Sequence, residues 1–135
     1  MATRTGDGDS PRVLIVEDDA AISDLMAAVL RDMGLTCDVA ATGSRALELA
    51  ALKRPTLVVL DLGLPEMYGK TVAGRLKLRY PNLPMMIVSA LSSSAVAQDA
   101  WEIGAFTYIT KPFELDAFSA AVRRGLKLGQ RAAAR

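Results

Sequence analysis

Short continuous runs of apolar residues alternate along this chain with longer stretches whose apolar residues recur at helical spacing. Few folds accommodate that rhythm. Val13-Leu14-Ile15-Val16 is unbroken and β-branched, as a strand buried on both faces requires. Ile22, Leu25, Met26, Val29, Leu30 and Met33 then repeat at helical spacing, and Gly34 offers a stop. Thr36 to Ala40 reads as a second strand, weakened by Asp38. A helix over Gly43 to Lys53 carries Ala46, Leu47, Leu49 and Ala50 on one face and is closed by Pro55. Leu57 to Leu60 gives a third strand. Val72, Ala73 and Leu76 mark a helix ending before Pro81. Met85 to Val88 gives a fourth strand, Ser92 to Ile103 a helix stopped by Gly104, and Phe106 to Ile109 a fifth strand. Leu115, Phe118, Val122 and Leu126 mark the last helix. Strands and helices in strict alternation predict an α/β fold, with a parallel sheet, right-handed crossovers and helices on both faces.

In such open sheets ligands bind outside the carboxyl ends of the strands, where strand order reverses. Residues that could do chemistry collect at those ends. The first strand is followed by Glu17-Asp18-Asp19, the third by Asp61, the fourth by Ser89 and the fifth by Thr110-Lys111-Pro112. Several carboxylates at one edge repel each other unless a cation lies among them, and Mg²⁺ takes one or two carboxylates together with waters and phosphate oxygens. Lys111 adds a fixed positive charge, and Ser89 can donate to a phosphoryl oxygen. Together they form an electrostatic cradle for a phosphoryl group, with Asp61 available as the nucleophile. Asp19 by itself reads as a helix start, favoured by the dipole.

The bulk properties exclude several alternatives. The sequence has no histidine, so no Ser-His-Asp triad, Cys-His pair or imidazole metal ligand can be built. A net charge of +1 gives no broad field toward nucleic acid or an anionic membrane. One cysteine, Cys37, excludes an internal disulfide and fits a reducing compartment. No apolar run approaches the roughly 20 residues that cross a bilayer, and Met1 to Ser10 lacks the apolar stretch of a secretory signal. A cytoplasmic protein is expected.

Four segments, Val13 to Asp19, Leu60 to Pro65, Ile87 to Ala90 and Tyr108 to Phe113, resemble in order the receiver domain of bacterial two-component response regulators. The resemblance runs from Arg12 to about Leu128. It implies a flavodoxin-like, doubly wound five-stranded sheet of order 2-1-3-4-5 with five helices. It implies that Asp61 is the phosphoacceptor and that Mg²⁺ is held by Asp18 and Asp61, with Glu17 assisting and the Gly63 carbonyl as a further ligand. Ser89 matches the switch hydroxyl, Lys111 the lysine that pairs with the phosphoryl group, and Tyr108 the aromatic whose burial changes. Lys111-Pro112 is expected to be cis, a geometry confined to a minority of X-Pro bonds.

The implied partners are a histidine kinase or histidine phosphotransfer protein as donor, and an effector reading the surface of helix four, strand five and helix five. Direct nucleic-acid or membrane binding is not expected. The role is that of a switch that phosphorylates and dephosphorylates itself, not a turnover enzyme. Tyr68 and Phe106-Thr107 depart from acidic residues common in relatives. Leu91, bulky and two residues beyond Ser89, is expected to screen the attacking water and slow dephosphorylation. Residues 1–11 read as a flexible lead-in, 12–128 as the domain and 129–135 as a basic tail, in a stand-alone receiver or one cut from a longer regulator.

Other readings fit less well. Gly69-Lys70-Thr71 invites a P-loop, but the first glycine of that motif would have to stand at Leu64, and Gly63 comes one residue early. A haloacid-dehalogenase-type phosphatase needs a second aspartate where Gly63 stands. A degenerate receiver that only docks proteins is the stronger rival, and against it every expected site residue is present.

Overall fold

The computed structural model describes residues 11–91 and 93–134, the last three by backbone alone. Most of the expected lead-in therefore lies outside the described residues, as do Ser92 and Arg135. The elements run β1 (Arg12–Val16), α1 (Ala20–Asp32), β2 (Thr36–Ala40), α2 (Gly43–Leu52), β3 (Leu57–Leu60), α3 (Gly69–Arg79), β4 (Met85–Ser89), α4 (Ser94–Ile103), β5 (Thr107–Thr110) and α5 (Leu115–Ala134). All strand pairs are parallel, in the order β2-β1-β3-β4-β5.

The unbroken apolar runs are explained by two cores, one on each face of the sheet. Leu14, Val16, Val58, Leu60, Met85 and Ile87 point into the layer of α2, α3 and α4. Their neighbours Val13, Ile15, Leu57, Val59, Met86 and Val88 point into the layer of α1 and α5. A strand with period-two side chains can be apolar throughout only when both faces are covered, and each large aliphatic so buried contributes about 1.5–3 kcal/mol. Asp38 does not break β2, because Arg12 on the adjacent strand reaches its carboxylate at 2.9 Å. Gly34 and Gly104 both take the left-handed conformation (φ +79°) just past α1 and α4, the usual helix stop.

The last helix differs from expectation. It does not give way to a tail after Leu128 but continues to Ala134. Gly125 and Gly129 explain the continuation: Cβ atoms there would stand 2.6 Å from Leu57 Cδ1 and 2.5 Å from the Thr56 carbonyl. Two bare positions one turn apart let α5 lie directly on the start of β3. Smaller differences occur at other ends. α3 begins at Gly69, and β5 runs one residue later than expected because Phe106 sits before it, its N–H on the Met85 carbonyl and its ring under Arg124. Among the described residues no helix is long and apolar enough to cross a membrane.

Candidate functional site

Strand order reverses between β1 and β3, and the ladder carries the chain past both strand ends at that point. Glu17 N–H donates to the Ala40 carbonyl at 3.0 Å, and Asp61 N–H donates to the Val16 carbonyl at 3.0 Å. Backbone pairing thus sets Glu17 and Asp61 side by side. On the other flank, Lys111 N–H donates to the Ser89 carbonyl at 2.9 Å, and the Lys111-Pro112 bond is cis. From there the lysine reaches back over β4, and its Nζ donates to Glu17 Oε1 at 2.5 Å and to Asp61 Oδ2 at 2.9 Å.

The second oxygen of Asp61 is also engaged: Oδ1 accepts the Gly63 N–H at 3.0 Å. Ser89 is fully buried at the end of β4, and its Oγ accepts the Leu91 N–H at 3.2 Å. Asp18 is exposed beside them. Asp19 caps α1 by accepting the Ile22 N–H, and its own N–H donates to Glu17 Oε2 at 3.1 Å. Tyr108 is half-buried, and its hydroxyl donates to the Leu91 carbonyl. Leu91 lies against Gly63, with Cδ1 3.5 Å from where a Cβ on that glycine would stand.

Burial works against both inner carboxylates, with opposite outcomes. At Asp61 it pushes the pKa up, but the Lys111 ammonium, the Gly63 amide and the Ser89 hydroxyl together bring it below the usual 3.8. At Glu17 burial prevails over Lys111 and the Asp19 amide, and the pKa rises above the usual 4.5. Burial lowers the pKa of Lys111, but its two carboxylates outweigh that and keep it charged. Asp61 is the inner carboxylate whose anionic form the site favours.

One carboxylate oxygen from each of Glu17, Asp18 and Asp61 lies within 4.8 Å of the other two. Three carboxylates face a single ammonium, so the cluster carries excess negative charge and only hard oxygen donors. That donor set suits a divalent cation of the Mg²⁺ type. Of the expected ligands, Glu17, Asp18 and Asp61 come together; Gly63 contributes its amide N–H to Asp61, and it is exposed.

Sequence reasoning missed how firmly the loop after Asp61 is tied down. Glu66 accepts the Ser44 N–H of α2 at 3.0 Å, and Gly69 N–H donates to the Leu62 carbonyl at 2.9 Å. A Cβ on Gly69 would stand 2.6 Å from the Asp61 carbonyl oxygen. Gly69 is therefore bare because the backbone of the loop passes there. Lys70 is paired with Asp99 and Glu102 of α4. The run that suggested a P-loop has no free lysine to offer a phosphate. Only the glycine gave any hint in the sequence; the partners of Tyr68 and Lys70 lie some thirty residues away.

Comparison with known proteins agrees with this geometry. A family model described as the response regulator receiver domain matches residues 13–123. The DNA-binding transcriptional regulator NtrC of Escherichia coli is 36% identical over 114 residues, covering 84% of this chain but only 24% of that protein. The chain thus spans about a quarter of that relative's length. Sporulation initiation phosphotransferase F of Bacillus subtilis is 34% identical over 117 residues, covering 87% of this chain and 94% of that protein. Among solved structures, a CheY-like response regulator receiver domain protein from Methanospirillum hungatei has a TM-score of 0.86 at 25% identity, covering 91% of this chain and 98% of that one.

Proposed function

The chain belongs to the response regulator receiver family, and on that premise we propose that Asp61 accepts a phosphoryl group from the phosphohistidine of a kinase or phosphotransfer protein. The P–N bond to the donor imidazole breaks as a P–O bond to an Asp61 carboxylate oxygen forms, and the imidazole takes up a proton as it leaves. The observation that carries this reading is Asp61 at the switch point of the sheet, kept anionic and oriented by two donors, Gly63 N–H and Lys111 Nζ. A nucleophile that must be unprotonated and fixed in direction is met by that arrangement.

Lys111, already in the site, offers its charge to the phosphoryl oxygens without reorganisation. Ser89 lies beside Asp61, positioned to donate its hydroxyl to the phosphoryl group. Glu17, Asp18 and Asp61 would hold Mg²⁺, with the Gly63 carbonyl as a further ligand; when bound, the ion neutralises charge on the phosphate and its acceptor. Turning Ser89 toward the phosphoryl group takes its oxygen from the Leu91 N–H. Leu91 also accepts the Tyr108 hydroxyl, so the switch serine and the aromatic share one residue. Their joint movement alters the α4–β5–α5 face offered to an effector, which must bind the two states unequally for a signal to pass. A cytoplasmic setting, where such donors work, completes the reading.

The test is intact-mass measurement after incubation with acetyl phosphate, with and without Mg²⁺, beside Asp61→Asn. The expected result is a Mg²⁺-dependent gain of one phosphoryl mass that the variant lacks. No gain from acetyl phosphate or from a cognate kinase would leave a docking module in place of a phosphoacceptor. Leu91 packed against Gly63 supports slow loss of the phosphoryl group; rapid loss of label from the isolated protein would defeat that part.

A further inference from the structure

Tyr68 and Lys70 have no part in phosphoryl transfer as described, yet both make defined contacts with α4. The Tyr68 hydroxyl donates to Asp99 Oδ2 at 2.7 Å. Lys70 Nζ donates to Asp99 Oδ1 at 3.3 Å and also pairs with Glu102. Glu102 in turn accepts from Gln98 Nε2 at 3.2 Å, which steadies its carboxylate along the helix. Two consecutive turns of α4 are therefore held by two residues flanking Gly69.

The other end of this connection is the phosphoacceptor. Gly69 lies so close to the chain that its missing Cβ would stand 2.6 Å from both the Asp61 carbonyl oxygen and Leu62 Cα. Its N–H is bonded to Leu62, and Glu66 fixes the middle of the loop to α2. The loop between Asp61 and Tyr68 is thus held by backbone contact at one end and by Glu66 in its middle, so the chain following Asp61 and the residues that grip α4 are structurally continuous.

We propose that Tyr68 and Lys70 are positioning residues, a clasp that couples the loop following Asp61 to α4. Through it, α4 responds to the phosphorylation of Asp61 by a route separate from Ser89 and Tyr108. The inference rests on the phosphoacceptor reading and adds a second path from that site. Coupling of this kind requires the clasp to differ in free energy between the two states of Asp61. Its groups are partly or largely exposed, where single ion pairs are worth little, but Tyr68 and Lys70 share the Asp99 carboxylate and Lys70 also reaches Glu102, so the four act as a network.

The protein carries its own reporter. Trp101 is its single tryptophan, lies on α4 beside Glu102 and is 80% exposed. The experiment compares the native chain, Tyr68→Phe/Lys70→Met and Lys70→Arg, each held with excess acetyl phosphate and Mg²⁺. Intact mass reads phosphorylation of Asp61; Trp101 emission and hydrogen exchange of the residue 94–103 amides read α4. The expected result is equal phosphorylation in all three, an α4 response reduced about threefold in the double variant, and a native response in Lys70→Arg, which keeps the cation. A fully phosphorylated double variant with the native α4 response would overturn the clasp, and so would a phosphorylated native chain whose α4 does not respond. No mass gain in the native chain from acetyl phosphate or from a cognate kinase would instead remove the phosphoacceptor reading, and the clasp with it. If the double variant fails to melt cooperatively, Tyr68→Phe alone, which removes one oxygen, must show a smaller reduction of the same sign.

Discussion

Among the described residues a lysine lies between two carboxylates twice. Lys111 joins Glu17 to Asp61, and Lys70 joins Asp99 to Glu102. The contacts are alike, but the surroundings are not. The first three side chains are 12%, 1% and 10% exposed, the second three 42%, 22% and 44%. In the open cluster every group shifts as a simple pair would: Lys70 up, Asp99 and Glu102 down, led by the hydrogen bonds among them and Tyr68. In the closed cluster burial opposes ionisation, and one lysine satisfies only one carboxylate well. Asp61 goes down, and Glu17 goes up. The open cluster is balanced; the closed one holds charge that one lysine does not fully compensate.

The sharpest way to break this comparison is to delete each lysine. Lys111→Met leaves two buried carboxylates facing each other, and breaking such a pair typically costs about 3 kcal/mol or more. A urea-unfolding series in chelator should show a loss of about that size, with millimolar Mg²⁺ returning more stability to the variant than to the native chain. An unchanged midpoint would mean that water already compensates Glu17 and Asp61. The premise of a closed cluster would then be wrong.

Gly69 stands between the two clusters, and Gly69→Ala tests whether they are mechanically joined. Its Cβ would press on the backbone of Asp61 and Leu62, and backbone cannot step aside as a flexible side chain does. Overpacking of this kind costs roughly 1–3 kcal/mol. The expected outcome is a loss within that range together with slower phosphorylation of Asp61 by acetyl phosphate. A stability loss with native phosphorylation kinetics would show the glycine to be purely a packing residue.

The two clusters were also unequally legible in the sequence. Glu17, Asp61, Ser89 and Lys111 are each attached to the end of a β-branched or aliphatic run, so locating the strands located the residues. Period-two burial on both faces made β1, β3 and β4 conspicuous. Nothing comparable marks Tyr68, Lys70, Asp99 and Glu102. They sit at the start of α3 and along the partly exposed face of α4, where many polar residues are acceptable, and their pairing depends on how α3 lies against α4. The same limit hid the continuation of α5. Gly125 and Gly129 look like helix breakers until the chain at Thr56 and Leu57 is seen to pass beneath them. Asp38 looked like an interruption of β2 because its partner, Arg12, lies on the neighbouring strand.

Acid titration sharpens the comparison within the closed cluster. Asp61 has a depressed folded pKa, so its contribution is present above the ordinary 3.8 and is lost as pH falls through the lower folded value. Glu17 has a raised one, so its contribution is present below the ordinary 4.5 and is lost as pH rises through the higher folded value. The two oppose each other, giving a stability that climbs at low pH and then gives part of the gain back above 4.5. Glu17→Gln should remove the second limb and keep the first. If denaturant midpoints across pH 2–7 instead fall above 4.5 in both proteins, some group other than Glu17 is responsible.

The smallest effect belongs to the open cluster. Lys70→Met should lower the urea midpoint less than Lys111→Met does, because both carboxylate partners regain water when the lysine is gone. Its loss should also shrink in about 1 M salt, where the screening length falls to about 3 Å, whereas the loss from Lys111→Met should persist because buried charges are screened far less. Salt therefore separates the two lysines even if their raw effects come out similar. A Lys70→Met loss that survives high salt would place the strength of the clasp in geometry rather than charge. The Tyr68 hydroxyl on Asp99 would then be its dominant contact, and Tyr68→Phe should reproduce the loss without touching a charge.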